Sequence, residues 1–600
     1  MATSVPPNSR RALRHSRAVP RRMGQASAGT PVHPTRSRML LVGGILLAAT
    51  LGLVANLVRL QIVHTAELKE KAQAQQQVYL RPFVPRRPIV DRDGNVIAVD
   101  QPVATLYVHP KLFKEPPEAI AEKLSPIVAL SPAELLKRFS AAQSGIELIE
   151  NLPEDSAARV TALGLDGLEL VPHQMRLYPQ QELFADVLGY VNVDRQGQAG
   201  VEYSQQKILE RHVQALRVSR MGDGTYIPTQ VPGGFLHNDD LQLQLTIDGR
   251  LQRAARAALK QQISRYGAKR GGVIVMDVRD GALLVMASEP TYDPNRYYDF
   301  KIDRFRNWLL SDLYEPGSTF KPINVAIALE AGVIEPNTQI YDEGQIFVDS
   351  WPISNFDYSS RGARGNLSIA EILEVSSNVG MVHIVERLKP EVYYGWLERI
   401  GLGQPLGTDL PFEVSGQLKN REQFLGSPVE AATTAFGQGF SLTPLQLVQL
   451  EAAIANGGKL VTPHVVRGLR STDGKMHWQP DYTPRPIFSP ENAQAVLGMM
   501  ENVVKNGTGE AAQIPGYRIA GKTGTAQKAN PNGGYYENAK ITSFVGIVPV
   551  EAPRYVVLAV IDEPQGGDAF GSTVAAPIVK AVMEVLLASE GIPAQKPTAP

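Results

Sequence analysis

The chain has 600 residues, 43% of them hydrophobic, with 60 basic and 60 acidic side chains and no cysteine. Without cysteine there are no disulfides, no thiol chemistry and no Cys-ligated zinc. The ten histidines show no H-E-x-x-H pairing, so no metal site and no cofactor are expected. The zero net charge hides an asymmetry: residues 1–38 hold eight arginines and no acid, leaving 52 basic against 60 acidic, a net of −8, for the remainder.

Residues 1–38, rich in Arg, Pro and Ser, read as a disordered tail. A basic arm alone would suggest nucleic acid, but Met39–Val58 follows, twenty residues with only Thr50 and Asn56 notably polar. At about 1.5 Å per residue this crosses a hydrocarbon core of roughly 30 Å. The preceding arginines predict a cytoplasmic N-terminus, and no small-x-small cleavage site follows. The expectation is a single-pass, uncleaved signal anchor at 39–58, with everything after Arg59 outside. Residues 59 to about 80, rich in Ala and Gln, read as a helix leaving the membrane.

From Arg81 to about Phe235 short strands, Pro-rich turns and helical stretches such as Glu118–Ile127 alternate. The expectation is an elongated, non-catalytic α+β domain over 59–240. Val231–Gly234 reads as a loop. Leu241–Ile247 alternates and predicts a strand, and Arg250–Ser264 a helix. Val273–Val278 and Ala282–Ala287 flank Arg279-Asp280-Gly281, a hairpin. Late in the chain come three more strand candidates: Arg518–Gln527, Ser543–Val550 and Arg554–Ile561, with turns at Asn530–Gly534 and Glu551-Ala552-Pro553. Two early and three late strands predict one five-stranded antiparallel sheet. Helices from the middle of the chain (about Phe320 to Val504) would cover one face, and the early helix with Ala576–Leu587 the other. This α/β (α+β) domain would span 241–590, followed by a loose tail over 591–600.

The chemistry concentrates in Tyr314–Lys321, Y-E-P-G-S-T-F-K, ahead of the apolar run Ile323–Ala331. Ser318 and Lys321, three apart at a helix start, lie one turn apart on one face. The hydroxyl then has a base in reach and a positive helix end behind it. Pro322 falls in the first turn, where a missing N–H matters little. Alone, S-x-x-K is weak, since most such pairs are solvated helix faces. Ser376-Ser377-Asn378 and Lys522-Thr523-Gly524-Thr525 follow in order. S-x-x-K, S-x-N and K-T-G in that order form the active-site set of penicillin-recognising serine enzymes.

Lys522 also belongs to a decoy. Gly516–Thr523 fits G-x-x-x-x-G-K-T, the phosphate-binding loop, and Val556–Glu563 imitates an acidic NTPase strand. Such a loop must open a helix, whereas Lys522 is followed by Thr-Gly-Thr-Ala and a turn. An NTPase is therefore the remote alternative. Gly507–Ala512 imitates a dinucleotide fingerprint but follows a helical pattern, Ala493–Val504, rather than a strand.

The chain resembles the class B penicillin-binding proteins, and within them the division-specific (FtsI-type) transpeptidases, over about residues 39–588. Besides the three motifs, the resemblance rests on Arg87–Gly94, Arg176–Pro179, Gly189-Tyr190-Val191, Gly200-Val201-Glu202, Thr246-Ile247-Asp248 and the run AFGQGFSLTPLQL from Ala435. Pro88 departs from the glycine usual there. The resemblance implies a penicillin-binding transpeptidase fold and a peptidoglycan D,D-transpeptidase that joins stem peptides through an acyl-enzyme and is inhibited by β-lactams. Ser318 would be the nucleophile and Lys321 its base. Ser376 and Lys522 would return the proton to the leaving D-alanine. Asn378 would orient Lys321 and the peptide amide, and Lys522-Thr523-Gly524-Thr525 would bind the terminal carboxylate through Thr523 and Thr525. The backbone N–H groups of Ser318 and Thr525 would make the oxyanion hole.

Related enzymes share these motifs. A β-lactamase needs a water-activating group, and Glu371 and Glu374 lie near the second motif, though helix surface is the plainer role for both. A penicillin sensor needs a larger cytoplasmic module than 38 residues. Water or amine as acceptor, the carboxypeptidase question, is not legible. A role in elongation rather than division is the nearer alternative. For the division type, the implied partner is an FtsW-type lipid-II polymerase, with Gly52 and Asn56 as candidate packing positions in the anchor. No nucleic-acid partner is expected.

Overall fold

The computed structural model describes residues 36–80, 84–211, 216–220, 226–228, 239–530 and 533–595. Most of the Arg-rich tail, the Val231–Gly234 loop and the last five residues lie outside these. The described residues fall into two compact units, one from 36–80, 216–220 and 226–228, the other from 84–211 and 239–595.

In the first unit a helix runs Arg36–Val58 and continues through a π turn, Arg59–Val63. Its large apolar side chains are all exposed. A 23-residue helix, about 35 Å long, with no buried side chain suits lipid rather than water. Thr65–Gln76 is helical, but the helix expected to reach residue 80 stops there. Gln77–Leu80 instead pairs antiparallel with Leu216–Arg220, which pairs with Tyr226–Pro228. Val78 and Tyr79 favour strands, and a partner strand decides it.

The second unit holds two larger sheets. In one, Met476–Trp478, Val466–Ser471, Leu241–Leu245, Ile89–Val90, Val96–Val108 and Ile146–Pro153 lie side by side, and Leu168–Leu177 also pairs with Val96–Val108. Strands from both sides of residue 240 therefore share a sheet, Ile89 pairing in parallel with Leu243. Helices Pro117–Val128 and Pro132–Phe139 pack on the outer strands through Ile120, Leu124, Leu135 and Phe139.

The other sheet is the expected five-stranded antiparallel one, ordered Leu283–Glu289, Arg270–Asp277, Tyr555–Asp562, Tyr535–Val548, Ala520–Ala529. Leu283–Glu289, Arg270–Asp277 and Tyr555–Asp562 are buried on both faces because helices cover both. Val273, Val275, Val557 and Ala559 face Leu251, Leu259, Val579 and Met583, on helices Gly249–Tyr266 and Ala576–Ser589. The alternate residues Ile274, Met276, Leu558 and Val560 join helices Lys321–Glu330, Pro444–Ala455 and Pro490–Asn506. The C-terminal helix is apolar enough to cross a membrane, but it is mostly buried against this sheet. Ala520–Ala529 is an edge strand, so one side of its backbone has no neighbouring strand.

Candidate active site

Gly317–Phe320 forms a 3-10 turn, and the α-helix starts at Lys321 with Pro322 in its first turn. In a 3-10 turn residues i and i+3 eclipse, so Ser318 and Lys321 fall on one side. Gly317 has φ +58° and donates its N–H to Gly437 O at 2.9 Å. A Cβ on Gly437 would sit 2.0 Å from Gly317 O, so glycine is needed where these two loops meet. Asn324, one turn on, ties the helix down by donating to Thr434 O and Ala435 O.

The second motif lies between two helices. Ile369–Glu374 ends at Val375, and Ser377 caps Asn378–Val385 by accepting from Gly380 N. Ser376, in the gap, takes a left-handed φ of +58°. That conformation costs a non-glycine residue about 1 kcal/mol or more. It aims both Ser376 O and Oγ at Lys321. Glu371 is spent in a capping box with Ser368.

The third motif lies within the edge strand. Lys522 precedes no helix, which removes the phosphate-loop reading. The strand begins at Ala520, later than expected, because Gly516 turns with φ +82° and the Tyr517 hydroxyl is drawn to Ile592 O. Gly524 faces the Gly317–Phe320 turn: a Cβ there would lie 2.4 Å from Ser543 Oγ and 3.0 Å from Thr319 Cγ2.

Folding brings the three motifs together. Lys321 Nζ donates to Ser376 O (2.6 Å) and Asn378 Oδ1 (2.8 Å) and lies 3.3 Å from Ser376 Oγ. Lys522 Nζ reaches the same Oγ at 2.9 Å and Thr523 O at 3.2 Å. One hydroxyl thus bridges two fully buried lysines. In front of them opens a cavity of about 630 Å³, lined by Ser318, Ser376, Asn378, Thr523 and Thr525 among others. Lys321's bonds go to the second motif rather than to Ser318, whose side chain faces the cavity.

Burial, helped by the Lys522 charge, pushes Lys321 well below the usual lysine range, with the Asp342 carboxylate working the other way. Burial brings Lys522 down to about 7, opposed by Glu451. Two ammonium groups sharing one oxygen do not both stay charged. Lys321 gives up its proton first, and the remaining charge rests on Lys522. A neutral Lys321 has two N–H groups, satisfied by Ser376 O and Asn378 Oδ1, and a free lone pair.

Two contributors went unread in the sequence. Thr508, inside the discounted Gly507–Ala512 segment, lies hydroxyl to hydroxyl with Thr523 at 2.9 Å. Glu451 is buried in helix Pro444–Ala455 behind Lys522, and neither carboxyl oxygen has a hydrogen-bond partner. Burial holds its carboxyl well above the normal range. Glu451 sits amid an apolar helical run, which gave no signal; Thr508 was masked by a nucleotide-like spacing.

The penicillin-binding protein transpeptidase domain model matches residues 271–584, which take in all three motifs and the five-stranded sheet except Arg270. The chain belongs to this family. The penicillin-binding protein dimerisation domain model matches residues 83–217. The chain is 41% identical to the peptidoglycan D,D-transpeptidase FtsI homolog of Mesostigma viride, over 94% of this chain and 97% of that one. It is 37% identical to the FtsI homolog of Chlorokybus atmophyticus, over 94% and 98%. Among solved structures, penicillin-binding protein 3 of Mycobacterium tuberculosis complexed with ampicillin matches with a TM-score of 0.65 at 25% identity, over 86% of this chain and 97% of that one.

Proposed function

We propose that the protein is a serine D,D-transpeptidase that cross-links peptidoglycan stem peptides, serves septal wall synthesis and is inhibited by β-lactams. The observation that carries this is the shared contact of Lys321 and Lys522 with Ser376 Oγ beside the cavity that Ser318 lines. The FtsI names of the relatives favour division over elongation.

In this reading the donor peptide lies along the open edge of Ala520–Ala529, as an added strand. Its terminal carboxylate meets the Thr523 and Thr525 hydroxyls and the Lys522 charge. Ser318 Oγ attacks the carbonyl of the penultimate D-alanine while its proton passes to the lone pair of neutral Lys321. The carbonyl oxygen gains negative charge, met by the N–H groups of Ser318 and Thr525, each worth roughly 3 kcal/mol in comparable sites. The C–N bond then breaks. The Ser376 hydroxyl protonates the departing D-alanine amine and is resupplied by the lysines. Asn378 keeps Lys321 aimed and receives the peptide amide. An acceptor amine attacks the Ser318 ester, forming the new amide and returning the proton to Ser318.

The Arg36–Val63 helix supports a single-pass anchor. The arginines before it support a cytoplasmic N-terminus and an external catalytic domain. An FtsW-type lipid-II polymerase is the partner this reading expects at the anchor. The test is covalent labelling of the full chain, in membranes, by a fluorescent penicillin. Wild type labels and Ser318→Ala does not; a labelled Ser318→Ala protein would name the wrong serine. Midcell rather than lateral fluorescence tests the septal role.

A further inference from the structure

Behind the second motif lies a buried pair that the three motifs do not contain. Asn355, at the end of strand Trp351–Ser354, accepts three hydrogen bonds on Oδ1: from Asn378 N at 2.7 Å, Val379 N at 3.2 Å and Ser377 Oγ at 3.2 Å. Its amide nitrogen faces both oxygens of Asp342 at 2.9 Å. Asp342 also accepts from Gly344 N at 2.7 Å, and Asn355 N donates to Gly344 O. The neighbouring Ser354 O accepts from Asn378 Nδ2 at 3.0 Å. Asp342 is fully buried and Asn355 nearly so.

We propose that Asp342 and Asn355 are positioning residues for the reaction: together they clamp the Ser376–Asn378 turn so that Asn378 Oδ1 and Ser376 O present themselves to Lys321. The inference rests on the role given to Lys321 above. Asn378 has its backbone N–H and its side-chain NH2 both fixed by residues 354 and 355, which leaves Oδ1 a single direction, toward Lys321. An Asn355 side chain free to flip would offer NH2 where the turn needs an acceptor. Asp342 forbids the flip, because a carboxylate accepts and never donates.

The carboxylate has a second effect, through charge. It favours the protonated form of Lys321. The other charges nearby are committed elsewhere. Lys522, from the sheet, is the exception: it binds Ser376 Oγ and its charge opposes that of Asp342 at Lys321, while Glu451, from helix Pro444–Ala455, acts on Lys522. Arg364 pairs with Asp357, and Glu343 with His383 at the surface. Removing the Asp342 charge therefore makes Lys321 lose its proton at lower pH, and a base that must be neutral to act becomes active at lower pH.

The experiment is the rate of fluorescent-penicillin acylation against pH, on the full chain in detergent. In Asp342→Asn the ascending limb is expected to move acid by about half a pH unit or more, since a buried charge is lost next to the base. A limb that stays in place, in a folded protein, overturns the proposal, because a purely structural role lowers the rate equally at every pH. Should Asp342→Asn not fold, Asn355→Ala decides. Its acylation is expected to drop about tenfold or more, with non-covalent binding retained, as a misaimed base lowers the chemical step; a loss under about threefold overturns the proposal. Ser318→Ala is the control that separates the two readings. If it labels, the assigned mechanism fails; if it does not and the Asp342→Asn limb is unmoved, only the clamp fails.

Discussion

Lys522→Met is expected to stabilise the protein while destroying its activity. A lysine ordinarily titrates at 10.5, and burial holds Lys522 at about 7. That gap of about 3.5 units, at 1.36 kcal/mol per unit, puts about 5 kcal/mol against keeping the ammonium buried. Methionine has similar length and no charge. It gives up the bonds to Ser376 Oγ and Thr523 O, at about 1 kcal/mol each, leaving a net gain of about 3 kcal/mol. At roughly 2 °C per kcal/mol for a domain of this size, Tm rises by about 6 °C. The pH dependence has a definite sign. Below about 7 the lysine is charged in both folded and unfolded chains, and the penalty is present in full. Between about 7 and 10.5 only the unfolded chain holds the proton, so wild-type stability climbs with pH. Above 10.5 the penalty is gone and the variant has no advantage. Scanning fluorimetry from pH 6 to 10 checks this. A variant that melts at or below wild type at pH 6, or whose difference ignores pH, refutes the claim that the site stores this energy.

Lys321→Met is expected to lose penicillin acylation by about 10³-fold or more through loss of the base; stopped-flow labelling rates near wild type would remove Lys321 from that role. Gly524→Ala places a Cβ 3.0 Å from Thr319 Cγ2 and 2.4 Å from Ser543 Oγ. It is expected to push the edge strand off the Gly317–Phe320 turn, lowering acylation at least tenfold and Tm by several degrees. Thr508→Val removes the hydroxyl 2.9 Å from that of Thr523. About fivefold slower acylation is expected, near 1 kcal/mol, with an unchanged melting curve; full activity would make Thr508 a bystander.

The active-site motifs and the main sheet were legible because each rests on local, periodic or compositional signals. S-x-x-K beside a proline, paired apolar runs around Asp280-Gly281 and the twenty-residue apolar span declare themselves from neighbours alone. Strand limits were less so: Tyr535–Val548 starts eight residues before the expected Ser543, because its polar first half is held by pairing with Ala520–Ala529 rather than by its own pattern. The Glu118–Ile127 helix was close to the observed Pro117–Val128.

By itself the sequence determined which alcohol and which amines are present, their order, and that an apolar helix precedes them. Only the tertiary structure decided what those amines are. Lys321 and Lys522 are ordinary cations on paper; shut away from water and set against one serine oxygen, both are pushed below the usual lysine range. Proton affinity depends on solvent exclusion and on charges supplied from distant segments, Asp342 among them, and neither is written in the spacing of a motif.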